Sequence, residues 1–178
     1  MKAVRDAFEA ARLGDRDLDE ALAVVETFLA ANADHTVAMA YLGGLHAMKA
    51  GEAALPWIKM KHVNAASALL DTAHRRRSDP PSDAASTHPP DLEILLLRGV
   101  AYANFPAFLG RAETARECLE TARNHAAFLT VPSRYRALAY AHLAVLSHRS
   151  RQEASAHRLL EQAVIADAAT ANRIWTTR

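Results

Sequence analysis

Nine histidines and one cysteine are the residues of this 178-residue chain best suited to metal binding or nucleophilic chemistry. A zinc site needs closely spaced ligands, such as two histidines four residues apart on one helix or paired cysteines. His142 and His148 are six residues apart, which places them about 120° from alignment around an ideal helix. His46, His62 and His74 are predicted on separate helical turns without an acidic partner at a fixed spacing. We therefore interpret the histidines as surface or packing residues and expect no metal.

Cys118 lies beside Leu119 on a predicted packed helix and has no neighbouring base in the sequence. A cysteine acts as a nucleophile through its thiolate, which a basic neighbour or a positive environment must stabilise, so we expect an inert buried thiol. The Gly43-Gly44 pair lies within a predicted helix rather than after a strand, which argues against a phosphate-binding loop. The sequence thus predicts no catalytic residue, no cofactor and a protein that is not an enzyme.

Two cations, Lys59 and Arg98, occupy positions where an apolar side chain is expected. Lys59 lies one turn before an apolar stripe formed by Val63, Ala66, Leu70 and Ala73. Removing a cation from water is costly unless an anion compensates for it. One interpretation is an internal ion pair, for which the candidate carboxylates are Glu52, Asp71, Glu93 and Glu117. The other is a ligand or partner that brings an anionic group to Lys59 and Arg98.

Charge and hydropathy limit the classes of partner. The formal net charge of +1 lacks the basic excess of a general nucleic-acid binder. The cluster Arg75-Arg76-Arg77 ends a predicted helix, where cations complement the helix dipole, and no aromatic residues interleave with it. No apolar run approaches the roughly 20 residues that span a bilayer, so we expect no membrane partner. A single cysteine and the absence of a signal-peptide pattern favour a cytoplasmic location. The abundance of alanine and of arginine over lysine is typical of a GC-rich bacterial genome.

The composition and the apolar periodicity predict an all-helical chain that forms a single domain over residues 1–178. Apolar residues make up 51% of the chain and aromatic residues only 6%, so alanine and leucine must provide most of the packing. About eight helices are expected, over residues 2–13, 18–31, 36–50, 56–77, 92–104, 112–127, 132–148 and, after Ser150 as its cap, 151–166. A flexible loop is predicted at 78–90, which holds four of the seven prolines, and a C-terminal tail at 168–178.

The predicted helices repeat two patterns. Second helices share a spacing seen in Ala21-Val25-Phe28, Ala66-Leu70-Ala73, Ala115-Leu119-Ala122 and Ala156-Leu160-Ala163. First helices share another, seen in Met39-Leu42-Gly43, Leu95-Arg98-Gly99 and Tyr140-Leu143-Ala144. In these offsets the chain resembles the tetratricopeptide repeat family. It departs from the family pattern in two places: Arg98 stands where the pattern has leucine, and the interval from Gly43 to Ala66 is 11 residues longer than the repeat allows. A compact helical bundle that imitates the repeat is the alternative fold.

The resemblance implies a right-handed superhelix of antiparallel helical hairpins, in which the first helices line a concave groove that binds peptides or helices of other proteins. In this chain the groove-lining residues would be Ala40, Gly44, Ala47, Met48, Leu96, Val100, Asn104, Ala141, Val145 and His148. These are unusually apolar for a surface in contact with water, and such patches usually mark a binding site. The groove could receive a partner protein, the chain's own Ile174 and Trp175, or a second copy in a homodimer.

Two functions from different classes follow. The first is a non-catalytic scaffold or adaptor that binds an apolar helix or peptide of another protein. The second is a regulatory protein that binds a small molecule or anion through Lys59 and Arg98.

Overall fold

A computed structural model describes residues 1–78 and 88–176, and within these ranges the chain is helical and contains no strand. The eight helices are α1 (Lys2–Leu13), α2 (Leu18–Ala31), α3 (Thr36–Glu52), α4 (Pro56–Arg75), α5 (Pro90–Ala103), α6 (Ala112–Arg123), α7 (Ser133–Arg149) and α8 (Glu153–Thr176). Two short 3₁₀ turns lie at Ala107–Leu109 and Phe128–Thr130. The all-helical prediction is confirmed. Most of the loop predicted at 78–90 lies outside the described residues.

Local signals in the sequence explain several helix ends. Gly14 ends α1 in the left-handed conformation, with φ of 83°, which glycine adopts without strain. The Asp17 side chain accepts a hydrogen bond of 2.7 Å from the backbone N–H of Asp19 and so caps α2. Pro56 occupies the first turn of α4, where its missing N–H would have no helical partner. Within the described ranges, no helix has both the length and the apolar content needed to cross a bilayer.

The odd-numbered helices form one layer in which α1 packs on α3, α3 on α5, and α5 on α7. Each of α2, α4 and α6 packs against the two odd-numbered helices that flank it in the chain, and α8 packs on α7. Buried side chains from Val4 to Leu159 form one continuous core between the layers. This alternation of antiparallel neighbours is what short connections between helices produce.

Two glycines bring the helices of a hairpin close together. A Cβ added at Gly43 of α3 would lie 2.7 Å from Cγ of Leu70 in α4. A Cβ added at Gly99 of α5 would likewise lie 2.7 Å from Cγ of Leu119 in α6. Both distances are too short for real atoms, so the repeated small residue is explained by close helix packing.

The C-terminal tail predicted at 168–178 folds back as a helical segment over its described residues. The backbone at Asp167 is not helical and divides α8. The Asp167 side chain accepts a hydrogen bond of 2.8 Å from the N–H of Thr170 and caps the segment that follows. That segment packs on α7, because Ala171 and Ile174 join a cluster with Ala141.

Candidate functional site

The concave face predicted from the repeat is largely covered by the chain itself. Ala40, Gly44, Ala141 and Val145 were expected to line a groove filled by a partner, by the chain's own tail or by a second copy, and all four are buried. Phe8 of α1 covers Gly44, where an added Cβ would lie 2.8 Å from the phenyl ring. At these four positions the chain's own packing leaves no surface for a partner.

The other predicted groove residues do not form one open surface. Ala47, Met48, Leu96 and Val100 are half-buried and pack against the core. Asn104 is exposed, and its side-chain amide donates a hydrogen bond of 2.8 Å to the carbonyl of Val100. His148 is half-buried between Glu153, 3.0 Å away, and Trp175, whose ring centroid lies 5.6 Å from that of His148. Helix α1 covers Gly44 and the C-terminal segment covers Ala141, while binding of a partner or a second copy stays a prediction.

A polar network fixes α1 against the layer of odd-numbered helices. Arg5 donates two hydrogen bonds to the carboxylate of Glu93 at the start of α5, of 2.8 and 3.0 Å. The hydroxyl of Tyr41 in α3 donates to the same carboxylate. Burial, and then the charge of Glu93, raise the pKa of Tyr41 well above its ordinary value. Glu93 was considered as a partner for Lys59 or Arg98 but is occupied by Arg5 and Tyr41.

A second carboxylate, Glu9, links α1 to the start of α7. It accepts a hydrogen bond from the hydroxyl of Tyr135 and lies 3.6 Å from the guanidinium of Arg134. Burial and the hydrogen bond to Glu9 raise the pKa of Tyr135 to about 12, so the phenol keeps its proton. Sequence reasoning missed this contact because it joins residues 126 positions apart.

Arg98 forms an internal ion pair, as one of the two interpretations expected. Its Nη2 and Nε donate to Oδ1 of Asp71 at 2.7 and 3.1 Å, and the hydroxyl of Tyr102 donates to the same oxygen at 2.7 Å. Burial raises the pKa of the Asp71 carboxyl, but the hydrogen bonds from Tyr102 and Arg98 outweigh that effect and lower the pKa below its ordinary value. Asp71 is therefore ionised at neutral pH and neutralises Arg98.

A small pocket of about 150 Å³ adjoins Arg98 and is also lined by His74, Arg77, Glu117 and Cys118. The Cys118 sulfur lies 3.0 Å from Nη1 of Arg98. Burial nevertheless raises the pKa of the thiol, so Cys118 is protonated at neutral pH. Burial and the nearby charges of Arg98 and Arg77 lower the pKa of His74 to about 4, so its imidazole is neutral. This pocket offers neither a thiolate nor an imidazolium for chemistry.

Lys59 does not share a site with Arg98. It precedes Asp71, the partner of Arg98, by 12 residues on α4, or about 18 Å of helix. Lys59 is half-buried and makes no ion pair with any carboxylate in the described residues. The structure thus corrects the prediction of one anion site formed by Lys59 and Arg98, and leaves Lys59 without a compensating charge in the described part of the chain.

The connected end of the α3–α4 hairpin extends beyond the end of the neighbouring helix α5. Helix α4 has 20 residues, whereas α5 has 14. The two run antiparallel, because Asp71 contacts Arg98 and the carbonyl of Ser67 accepts a hydrogen bond from Tyr102. Since α5 ends at Ala103, the register leaves about ten residues at the start of α4, or roughly 15 Å of helix, beyond the end of α5.

The protruding end exposes a cluster of large apolar side chains. Trp57 is 68% exposed, Leu55 43% and Ile58 39%. We call Leu55, Trp57, Ile58, Lys59 and Lys61 the hairpin tip. The sequence carried a signal for it, since the extra residues between Gly43 and Ala66 interrupt the repeat at this point.

A histidine pair lies in the same hairpin. Nδ1 of His46 in α3 and Nδ1 of His62 in α4 are 3.1 Å apart. Burial, and then the neighbouring His62, lower the pKa of His46. Nowhere in residues 1–78 and 88–176 do three His, Cys, Asp or Glu side chains come together as a metal-binding group. One hydrogen bond between these two nitrogens accounts for the pair.

The chain matches no protein-family model, and comparison with curated proteins and with solved structures gives no significant match.

Proposed function

We propose that this chain is a non-catalytic scaffold or adaptor that binds a helix or peptide of another protein at the hairpin tip. Successive antiparallel hairpins, with close packing at Gly43 and Gly99, support a right-handed superhelix of the tetratricopeptide type. The proposal differs from the sequence-based one in the binding surface. The concave face is covered by α1 and the C-terminal segment, whereas the hairpin tip is open.

Exposure of Trp57 is the observation that carries the proposal. A tryptophan side chain buries about 150–250 Å² when it is covered. Tryptophan is enriched among the few residues that dominate the free energy of binding in protein interfaces. Here it is 68% exposed beside two further apolar side chains, on a rigid helix that loses little conformational entropy on binding. A packing role within the chain does not account for that exposure.

A reducing, cytoplasmic compartment is part of the same proposal. It is supported by Cys118, the single cysteine of the sequence, which is a free and buried thiol.

Site-specific photocrosslinking tests the proposal. A photoreactive amino acid replaces Ile58 in one variant and Ile165 in a control variant. Ile165 is a suitable control because it is an isoleucine that is 85% exposed and lies on α8, away from the hairpin tip in the sequence. In an extract of the native cell, the variant at 58 should crosslink to a partner that the control does not capture. Excess unlabelled wild-type chain should compete for this crosslink, and excess Trp57→Ala chain should not.

Identical crosslinks at both positions, or equal competition by Trp57→Ala, would refute the proposal. A crosslink only to a second copy of the chain would instead identify the hairpin tip as a homodimer interface.

A further inference from the structure

We infer that the segment bound at the hairpin tip is acidic and amphipathic. Its apolar side covers Trp57 and Ile58, and its carboxylates pair with Lys61, which lies on the same face of α4 as both. This inference rests on the proposed function, since it specifies the chemistry of the partner bound at that surface.

The charge of the hairpin tip carries the inference. No acidic residue occurs between Glu52 and Asp71, whereas Lys59 and Lys61 both lie in this interval. Lys49, at the end of α3, is already paired with Asp19 at 2.8 Å. In the described part of the chain, neither Lys59 nor Lys61 has such a partner. Two of the four lysines of the chain thus lie at the tip, and in the described residues neither is paired with a carboxylate.

Docking makes a carboxylate at this position necessary. Lys61 lies one turn after Trp57 on the same face of α4, so a partner that covers Trp57 also removes water from Lys61. A desolvated cation without a counter-charge destabilises a complex, while a complementary charge improves specificity and the rate of association. An acidic segment supplies the missing charge, and a neutral or basic one does not.

The start of α4 adds to the positive potential. Leu55 is the N-cap residue and provides no side-chain hydrogen bond. The N–H groups of the first turn and the positive end of the helix dipole therefore favour an anion near the same end of α4 as the lysines.

An anionic membrane would meet the same charges less well. Each lysine near such a surface contributes only about 1 kcal/mol, and stable anchoring needs a second strong signal such as a lipid chain. Three apolar side chains and two lysines are a small contact area for a bilayer. They suit a protein segment of a few helical turns, which places carboxylates and apolar groups at defined positions.

Selection from a random peptide library tests the inference and does not require the natural partner to be identified first. The full chain is immobilised and presented with displayed peptides of about 16 residues, long enough for four helical turns. Peptides that bind the Trp57→Ala chain are removed first, and those that bind only the wild-type chain are then sequenced. Circular dichroism checks that each variant keeps its helical content.

We expect the Trp57-dependent peptides to combine a net negative charge with apolar residues at helical spacing. The Lys59→Glu/Lys61→Glu chain should bind them at least about tenfold more weakly, and added salt should weaken wild-type binding. The matched control, Arg151→Glu/Arg158→Glu, changes the charge equally on exposed positions of the connection to α8 and α8 itself. It should change the affinity less than about twofold.

Each contrary outcome has its own meaning. Trp57-dependent peptides that are neutral or basic, or equal losses in the two charge-reversed chains, overturn the inference but leave the proposed function standing. A complete lack of Trp57-dependent peptides counts against the proposed function itself. Trp57-dependent binding to phosphatidylserine vesicles in place of peptides overturns both in favour of a membrane. A Trp57-dependent dimer in sedimentation, with no peptide selected, assigns the tip to a second copy.

Discussion

Replacing Arg98 by alanine should destabilise the protein far more than replacing Arg76, although both arginines are paired with an aspartate. The side chains of Arg98 and Asp71 are 12% and 24% exposed, and those of Arg76 and Asp34 are 41% and 87% exposed. Removing one partner of a buried pair costs roughly 3–5 kcal/mol, because the other charge stays buried and unpaired. An exposed pair contributes about 0–1 kcal/mol.

The remaining contacts of Asp71 reduce the expected cost of Arg98→Ala. Asp71 keeps the hydrogen bond from Tyr102 at 2.7 Å and retains Arg111 at 3.7 Å. The variant also loses the stacking of Arg98 on Tyr102, where the guanidinium carbon lies 5.0 Å from the ring centroid, a contact of about 0.5–1 kcal/mol. We therefore expect a loss of about 3 kcal/mol for Arg98→Ala and at most about 0.5 kcal/mol for Arg76→Ala.

Urea unfolding followed by circular dichroism measures both losses directly. In a chain of this length, about 3 kcal/mol also lowers the melting temperature by roughly 6–12 °C. Adding Asp71→Asn to Arg98→Ala should cost less than the sum of the single losses, because the unpaired charge is then removed as well. If Arg98→Ala and Arg76→Ala cost the same, Arg98 is solvated and the argument from burial is wrong.

Three further predictions follow from buried groups. Burial, and then the charge of Arg149, lower the pKa of His142 from 6.5 to about 4. The unfolded chain therefore binds a proton first, and stability that is fully present above pH 6.5 falls as the pH drops towards 4, by about 3 kcal/mol at about 1.36 kcal/mol per pH unit. Urea midpoints measured against pH should show a flatter profile in His142→Gln, and an unchanged profile would contradict the assignment. Gly43→Ala should cost about 1–3 kcal/mol because its Cβ would meet Leu70, whereas Gly51→Ala, with open space around it, should be neutral or slightly stabilising in the same assay. Leu96→Gln with Val100→Thr should lower the melting temperature, because both side chains pack on the core; an unchanged value would restore them to an exposed surface.

The helices were predictable from the sequence because their signals are local. Gly14, Asp17 and Pro56 mark the ends of helices in the structure as expected. The last helix begins at Glu153 rather than directly after a Ser150 cap, because Arg151 takes a left-handed conformation with φ of 58°. That error has a local cause too, since a non-glycine residue rarely adopts such a conformation and the sequence does not mark it.

The partner of Arg98 was predictable only as one of four carboxylates. Choosing Asp71 requires the register of α4 against α5, which places residues 71 and 98 opposite each other. Periodicity indicates which face of a helix is buried, but it does not fix how far a neighbouring helix extends. The same limitation explains why Lys59 was expected to share a site with Arg98. Lys59 continues the apolar stripe of α4, but it lies past the end of α5.

The covering of the concave face was not predictable from the repeat. It depends on contacts between distant parts of the chain, such as the hydrogen bond between Tyr135 and Glu9. Small packing angles between successive hairpins accumulate along the layer, so no single pair of positions in the sequence determines whether its ends meet.

The residues inserted between Gly43 and Ala66 are mostly helical, and this favours a binding role for the hairpin tip. Extra chain at a hairpin connection is tolerated most easily as a polar surface loop. Here it lengthens helices instead, so that α4 reaches past α5 and carries Trp57 and Ile58 outwards. Ordering a flexible loop on binding would cost about 1–2 kcal/mol per residue, a cost that a preformed helix avoids. The apolar side chains at the hairpin tip lie outside the chain's own core. Their exposed surface is removed from water only when another molecule covers it, and only then does it contribute favourable free energy.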